Sequence, residues 1–281
     1  MRLIEGISDI KAVIRSQKSM GKIIGLVPTM GYLHEGHMSL INMSVQHNDF
    51  TVVSIFVNPV QFGPNEDFER YPRDINRDIK MAEAAGVDVV FSPSVSEMYP
   101  DGYKTYVDVE GITNTLCGRA RPGHFRGVTT VVNKLFNIVQ PDRAYFGQKD
   151  AQQAVVIKKM VEDLNMNLEV ITCPIVREED GLAMSSRNVY LSEEERKSAL
   201  ILSKSLFEAQ ELIKKGETQK ENLLRYIIDR IKSEKSAQID YVEIVDADTL
   251  DDIEFLKGRV LIALAVKFGN TRLIDNVIVE V

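Results

Sequence analysis

Short runs of β-branched and aliphatic residues alternate with longer stretches of helical period through roughly the first 175 residues, the pattern of βαβ units. Runs at 23–27, 51–57, 87–91, 143–147 and 168–173 are apolar on both faces, as strands buried in a parallel sheet must be. The spacing between them predicts helices over 8–20, 37–47, 74–85 with Gly86 at the stop position, 127–139 and 150–164. The expected fold is α/β, a doubly wound parallel sheet.

The texture changes after Val176. Arg177, Glu178, Glu179, Asp180 and Gly181 form a polar break, so residues 1–176 are expected as one domain and 177–281 as a second, smaller α+β C-terminal domain. Ser192 with Glu195 and Thr218 with Glu221 both fit the capping box that opens a helix. Beyond the first, Leu202, Leu206, Ala209 and Ile213 share a face, and Gly216 follows. Beyond the second, Leu224, Ile227, Ile228 and Ile231 do the same. Strands at 239–245, 259–267 and 272–281, parted by turn-like segments with Asp248, Gly258 and Gly269-Asn270, finish the chain.

Composition narrows the function. At 281 residues, 44% apolar and 27% charged, the chain reads as an ordinary globular protein of about two domains. Its net charge of −7 disfavours generic nucleic-acid binding. No apolar run approaches the roughly 20 residues that span a bilayer, and the N-terminus lacks a signal-peptide core, so a cytoplasmic location with no membrane partner is expected. Cys117 and Cys173, the two thiols, form no zinc pattern and suit a reducing compartment.

The first predicted strand runs into Pro28, Thr29, Met30, Gly31, Tyr32, Leu33, His34, Glu35, Gly36 and His37, and then a helix. Free N–H groups at such a strand-to-helix junction attract phosphate, and two of the four histidines stand there with Gly36 between them. The plain alternative is a pair of surface histidines on a glycine-containing loop; the junction favours nucleotide binding. Metal binding is disfavoured because the H-E-x-x-H spacing is absent. Gly31 and Gly36 have Walker-A spacing, but His37 and Met38 stand where Lys and Ser or Thr are needed, so this is not a P-loop.

Other segments gain weight only together. Gly147, Gln148, Lys149 and Asp150 precede the helix carrying Gln153, where Lys149 could meet a phosphate and Asp150 could cap the helix; an ordinary helix start with a solvated lysine is the alternative. Met184, Ser185, Ser186, Arg187 and Asn188 offer hydroxyls and a guanidinium on what reads as a flexible connector. Asn58 and Gln61, beside Pro59 and Phe62, could recognise a small hydroxy acid or simply make a satisfied turn. Arg119, Arg121, His124 and Arg126 form a basic run, either an anion funnel or a solvated loop.

In order along the chain, P-T-M-G-Y-L-H-E-G-H, F-V-N-P-x-Q-F, G-H-F-R-G-V, Y-F-G-Q-K-D and M-S-S-R-N resemble the pantothenate synthetase family, pantoate-activating ligases of the HIGH-motif nucleotidyltransferase superfamily. The resemblance covers essentially the whole chain. It implies an ATP-dependent ligase that joins (R)-pantoate to β-alanine through a pantoyl adenylate, a Rossmann-like N-terminal domain, a smaller C-terminal domain acting as a lid, and a homodimer. It implies that His34, His37, Lys149 and Arg187 are catalytic, with His37 the proton donor. ATP would be held by residues 30–37 and 147–150, by Val176, and by Met184, Ser185, Ser186 and Arg187. Gln61 and Gln153 would bind pantoate, Gln61 also β-alanine, and Val131 and Val132 would meet the gem-dimethyl group. Mg2+ would arrive with ATP, with no metal site of the protein's own. Two other readings remain: a transferase that leaves the nucleotide on a phosphorylated acceptor, and a nucleotide-binding regulator without turnover.

Overall fold

A computed structural model describes residues 1–64 and 66–281. Six strands build a parallel sheet: β1 (Arg2–Ile4), β2 (Ile24–Thr29), β3 (Phe50–Ile55), β4 (Val89–Phe91), β5 (Arg143–Gly147) and β6 (Glu169–Cys173), in the spatial order β1-β4-β3-β2-β5-β6. The five strands expected from hydrophobic runs are present, and β1 is added at the edge. Three residues with two of them exposed are too short to declare a period, so only pairing with β4 reveals this strand.

The crossovers supply α1 (Ile7–Ser19), α2 (Glu35–His47), α3 (Ile75–Ala84), a single turn α4 (Val95–Met98), α5 (Leu116–Ala120), α6 (His124–Val139) and α7 (Ala151–Asp163). From β2 the chain order runs outward through β3 on one side and through β5 on the other, which makes the boundary between β2 and β5 the switch point of the sheet. Ligands of doubly wound sheets gather at the carboxyl ends of the strands flanking such a point. Below the histidine loop lies a core of Val27, Leu33, Ile41, Val53, Val90 and Tyr145, all fully or nearly fully buried.

By internal packing the chain forms two compact units. The first comprises Met1–Glu110, Arg121–Gly147 and Val156–Pro174; the second comprises Gly111–Ala120, Gln148–Val155 and Ile175–Val281. The second unit contains α8 (Glu193–Ser198), α9 (Ile201–Lys214), α10 (Lys220–Lys232) and an antiparallel meander of β7 (Ala237–Asp246), β8 (Arg259–Phe268) and β9 (Thr271–Glu280). The apolar faces of α9 and α10 pack on Ile244, Ile262, Leu264 and Phe268 of that sheet.

Two local expectations change here. The Ser192–Glu195 box forms as read, with Ser192 N–H donating to Glu195 Oε2 at 2.8 Å and Glu195 N–H to Ser192 Oγ at 3.2 Å. Its helix, however, stops after one and a half turns, and a tightened turn at Ala199 and Leu200 separates α8 from α9. Thr218 and Glu221 do not form a box. Glu217 takes the Gln219 N–H at 2.8 Å and the Asn222 amide at 3.0 Å, while the Thr218 carbonyl accepts from Leu256 N–H, so α10 begins one residue later than a Thr218 cap would place it. Among the described residues no helix is long and apolar enough to cross a membrane.

Candidate functional site

The P-T-M-G-Y-L-H-E-G-H segment leaves the carboxyl end of β2 through a tight reversal. Gly31 at φ 81° and Tyr32 at φ 49° both lie in the left-handed region, which is inexpensive for glycine and unusual for tyrosine. Thr29 begins the turn: its hydroxyl donates to the Ser54 carbonyl at 2.8 Å and accepts Gly31 N–H at 3.1 Å. Asp78 on α3 then accepts Tyr32 N–H and Leu33 N–H, each at 2.7 Å.

His34 is the N-cap of α2. Its Nδ1 accepts Gly36 N–H at 3.1 Å, while His37 Nδ1 receives His34 N–H at 3.4 Å, a capping box built from two imidazoles. The ring centroids lie 4.0 Å apart. With Nδ1 accepting in both rings, the hydrogen-bond pattern assigns the proton of each neutral imidazole to Nε2. Both rings are half-buried, as are Met30, Tyr32 and Gly36, whereas Glu35 is exposed. Each ring therefore carries its N–H on Nε2 beside a helix N-terminus, a polarity suited to phosphate oxygens.

Gln61 comes to the same unit by another route. Its Nε2 contacts Met30 Sδ at 3.3 Å, so a predicted substrate residue and a predicted nucleotide residue touch. Asn58 is buried and fully engaged: its Nδ2 donates to Gln61 Oε1 and to the Gly127 carbonyl, both at 3.1 Å, and its Oδ1 accepts from the Tyr99 hydroxyl at 2.9 Å. Asn58 thus orients Gln61 through contacts inside the protein. From α6, Gly127 crosses the 59–61 turn so closely that a Cβ there would lie 2.6 Å from Gln61 Cα. Val131 and Val132, further along α6, are buried.

The basic run does not converge. Arg119 pairs with Glu243 in the second unit, Arg126 lies 4.3 Å over the Tyr106 ring, and Arg121 turns to Glu66. Arg121 Nη1 also donates to His124 Nε2 at 2.9 Å, and His124 Nδ1–H then reaches the Gln61 carbonyl at 2.9 Å. Burial pushes the Glu66 carboxyl up, but hydrogen bonding and charge from Arg121 prevail and hold it below its ordinary value. Cys173 is inert by contrast, its buried thiol pushed up to about 11.

In the second unit, Gln148–Asp150 form a single 3-10 turn that leads into α7. Lys149 Nζ lies 3.6 Å from Asp150 Oδ2. The turn is gripped by Asn276 of β9, whose Nδ2 donates to the carbonyls of Gln148 at 2.9 Å and Lys149 at 3.0 Å. Gln153, on the first turn of α7, is half-buried; its neighbour Gln152 is buried and donates to the carbonyls of Ile112 and Thr115.

The M-S-S-R-N segment differs from the flexible connector expected of it. Met184 N–H donates to the Val176 carbonyl at 3.0 Å and Arg177 bridges to Ala183, which closes 176–184 into a small hairpin and joins two predicted nucleotide residues. Ser185 caps the 3-10 turn Ser186–Tyr190 by accepting Arg187 N–H at 3.2 Å, and Ser186 is buried. Asn188 Nδ2 ties the turn to Glu178 at 2.8 Å. At the base of the hairpin, Arg177 grips Asp275 of β9 with two nitrogens, at 2.7 and 2.9 Å. Asp78, Asp275 and Asn276 were not singled out from sequence; each lies far along the chain from the segment it holds.

Among the described residues no group of three His, Cys, Asp or Glu could hold a metal ion.

A paired-imidazole helix cap at the end of a central strand, on a doubly wound parallel sheet, defines a Rossmann-like α/β protein of the nucleotide-binding class. The family model described as Pantoate-beta-alanine ligase matches residues 2–278. The chain is 78% identical to the pantothenate synthetase of Acetivibrio thermocellus over 281 residues, covering 100% of both chains. It is 59% identical to that of Caldicellulosiruptor bescii, covering 100% of this chain and 99% of the other. The crystal structure of pantothenate synthetase from Thermus thermophilus matches with TM-score 0.94 at 45% identity, with 99% of each chain covered. A pantoate-beta-alanine ligase from Francisella tularensis, described as complexed with β-γ ATP and β-alanine, matches with TM-score 0.80 at 36% identity, covering 99% of this chain and 97% of the other. The chain belongs to the pantoate–β-alanine ligase family and is a ligase.

Proposed function

We propose that the protein condenses (R)-pantoate with β-alanine, using ATP and giving pantothenate, AMP and diphosphate through a pantoyl adenylate. The observation that carries this reading is the His34–His37 pair, held through Nδ1 at the opening of α2 with Gln61 in contact with Met30. A carboxylate is a poor acyl donor until one of its oxygens belongs to a good leaving group, and transfer of AMP to it supplies that. In the first step a pantoate carboxylate oxygen attacks the α-phosphorus and pyrophosphate departs. In the second the β-alanine amine attacks the acyl carbon, loses a proton, and AMP leaves.

No covalent bond to the enzyme is needed, so positioning and electrostatics carry the acceleration. His34 and His37 would donate from Nε2 to phosphate oxygens, His37 serving as proton donor. Lys149 would offset charge growing on the transferred phosphate; Ser185, Ser186 and Arg187 would hold the triphosphate and then the pyrophosphate. Residues 30–37 and 147–150, with Val176 and Met184, would complete the ATP contacts. Gln61 and Gln153 would bind pantoate, and Gln61 also β-alanine. Mg2+ would supply charge neutralisation along the phosphates. By the same family resemblance the working form is a cytoplasmic homodimer.

Isotope exchange between ATP and pyrophosphate is the direct test. Exchange is expected to require pantoate and to proceed without β-alanine, and mass spectrometry of the complete reaction should show free AMP together with pantothenate. Exchange indifferent to pantoate would overturn the assignment, and a nucleotide retained in the product would favour a transferase.

The contact between α6 and the 59–61 turn gives a second expectation. Gly127→Ala forces Gln61 to move, because the added methyl would lie 2.6 Å from Gln61 Cα and from the Val60 carbonyl. We expect kcat/KM for pantoate to fall on the order of a hundredfold, with less effect on KM for ATP. Steady-state kinetics with each substrate varied in turn would show it; an unchanged pantoate KM and kcat would remove Gln61 from the pantoate site.

A further inference from the structure

Asp78 is a carboxylate in the wrong place for a structural afterthought. It lies in the first half of α3, 1% exposed, where an unsatisfied charge would be costly. Its two oxygens are divided between successive backbone groups of the histidine loop: Oδ2 accepts Tyr32 N–H and Oδ1 accepts Leu33 N–H, both at 2.7 Å. Arg77 completes the surroundings, with Nη1 3.8 Å from Oδ1 and its guanidinium 5.1 Å from the centre of the Tyr32 ring.

The residues so held are the ones whose backbone is unusual. Tyr32 sits at φ 49° directly after Gly31 at φ 81°, and a Cβ on Gly31 would come within 3.0 Å of Asp78 Oδ2. An L-residue keeps a left-handed conformation only when its surroundings over-determine it, and a two-point carboxylate clamp on its own N–H and the next does so. Leu33, the second clamped residue, is immediately followed by His34, the N-cap that exchanges hydrogen bonds with Gly36 and His37. Clamp, reversal and imidazole cap thus follow one another directly, with the backbone N–H groups of residues 31–34, 36 and 37 all hydrogen-bonded.

We propose that Asp78 is the positioning residue of the histidine loop: by fixing the N–H groups of Tyr32 and Leu33 it sets where His34 and His37 present Nε2–H to the nucleotide. This rests on the ligase reading given above, and it goes beyond it in assigning adenylation geometry to a side chain outside every motif. Burial pushes the Asp78 carboxyl above its ordinary value, while the two backbone N–H groups and Arg77 pull against that, so the clamp is maintained in opposition to desolvation.

Asp78→Asn tests it, since the amide keeps the shape but turns a donor toward one of the two N–H groups. The measurements are thermal unfolding, pantoate-dependent ATP–pyrophosphate exchange, β-alanine attack on preformed pantoyl adenylate, and long-range proton–nitrogen NMR of the imidazole rings. We expect a folded protein whose exchange rate falls about a hundredfold, whose reaction with preformed adenylate stays within about threefold, and whose His34 and His37 ring nitrogens are shifted. Normal exchange with an unaltered imidazole spectrum overturns the proposal. So does an equal loss in both half-reactions that tracks the unfolded fraction. If Asp78→Asn does not fold, Asp78→Glu, which keeps the charge on a longer arm, is read against the same outcomes. Absence of pantoate-dependent exchange in the unaltered protein would instead defeat the ligase reading, while the imidazole spectra would still report whether Asp78 sets the loop.

Discussion

Lys149→Ala is expected to slow adenylation by about two to three orders of magnitude, the loss typical when one preorganised charge is removed from a developing anion. The side chain is 22% exposed and has Asp150 3.6 Å away, so its ammonium is neither buried nor freely solvated. Its backbone is held by the Asn276 amide, which restricts where the flexible stem can begin. A fixed origin matters because a lysine offers a point charge without the directional fork of arginine, and its contribution depends on distance alone. Single-turnover formation of pantoyl adenylate should show the deficit, whereas attack of β-alanine on supplied adenylate should retain most of its rate. Near-normal single-turnover adenylation would take Lys149 off the list of catalytic residues.

The largest effect on stability is expected from Arg177→Ala, a loss of about 3–5 kcal/mol, because it strands a buried carboxylate. Asp275 has a side chain 1% exposed and receives two guanidinium nitrogens, while Arg177 also donates to the Gly181 carbonyl at 3.1 Å. Burial already pushes the Asp275 carboxyl up, with Arg177 pulling the other way. Without the arginine, the folded state binds a proton at pH values where the unfolded chain does not. The variant should therefore recover stability as the pH is lowered through the raised folded value and lose it as the pH rises. Urea unfolding of Arg177→Ala at several pH values would check both sign and size, and Arg177→Met with Asp275→Leu should return much of the loss.

How much of this was legible beforehand differs by residue. The parallel sheet could be read because β2, β3 and β5 are continuous apolar runs, and the histidine loop because a strand, a glycine-bearing turn and a helix follow one another in ten residues of chain. What pins that loop could not. Asp78 lies 46 residues beyond Tyr32 and, inside an amphipathic stretch, has the appearance of any polar helix position. Asn276 lies 128 residues from Gln148, in a strand whose alternation does not say which polar side chains turn inward. The Thr218 box misled for a related reason: local spacing was right, but Glu217 holds the Gln219 N–H and the Asn222 amide while Leu256, far along the chain, ties down the Thr218 carbonyl, and the helix starts one residue on. Residue roles in the proposed chemistry came from the family resemblance; the geometry supplies the tautomers, the Asn58–Gln61 orientation and the ordering of the 176–188 segment.

Asp275 and Asn276 are adjacent on β9 and opposite Leu264 and Ala263 of β8. They also have opposite tastes, the carboxylate facing a guanidinium and the amide facing two carbonyl oxygens. A slip of the β8–β9 hairpin by one residue would, in one direction, set the Asp275 carboxylate against the carbonyl oxygens of Gln148 and Lys149 and, in the other, leave the Arg177 guanidinium with the neutral Asn276 amide. The two-residue Gly269-Asn270 turn sets the same register from the other end, pairing Phe268 with Thr271. The same two side chains that hold the 148–150 turn and the 176–184 hairpin thus act as a checksum on the alignment of β8 with β9, so that a misaligned pair would also leave those two segments without their holds.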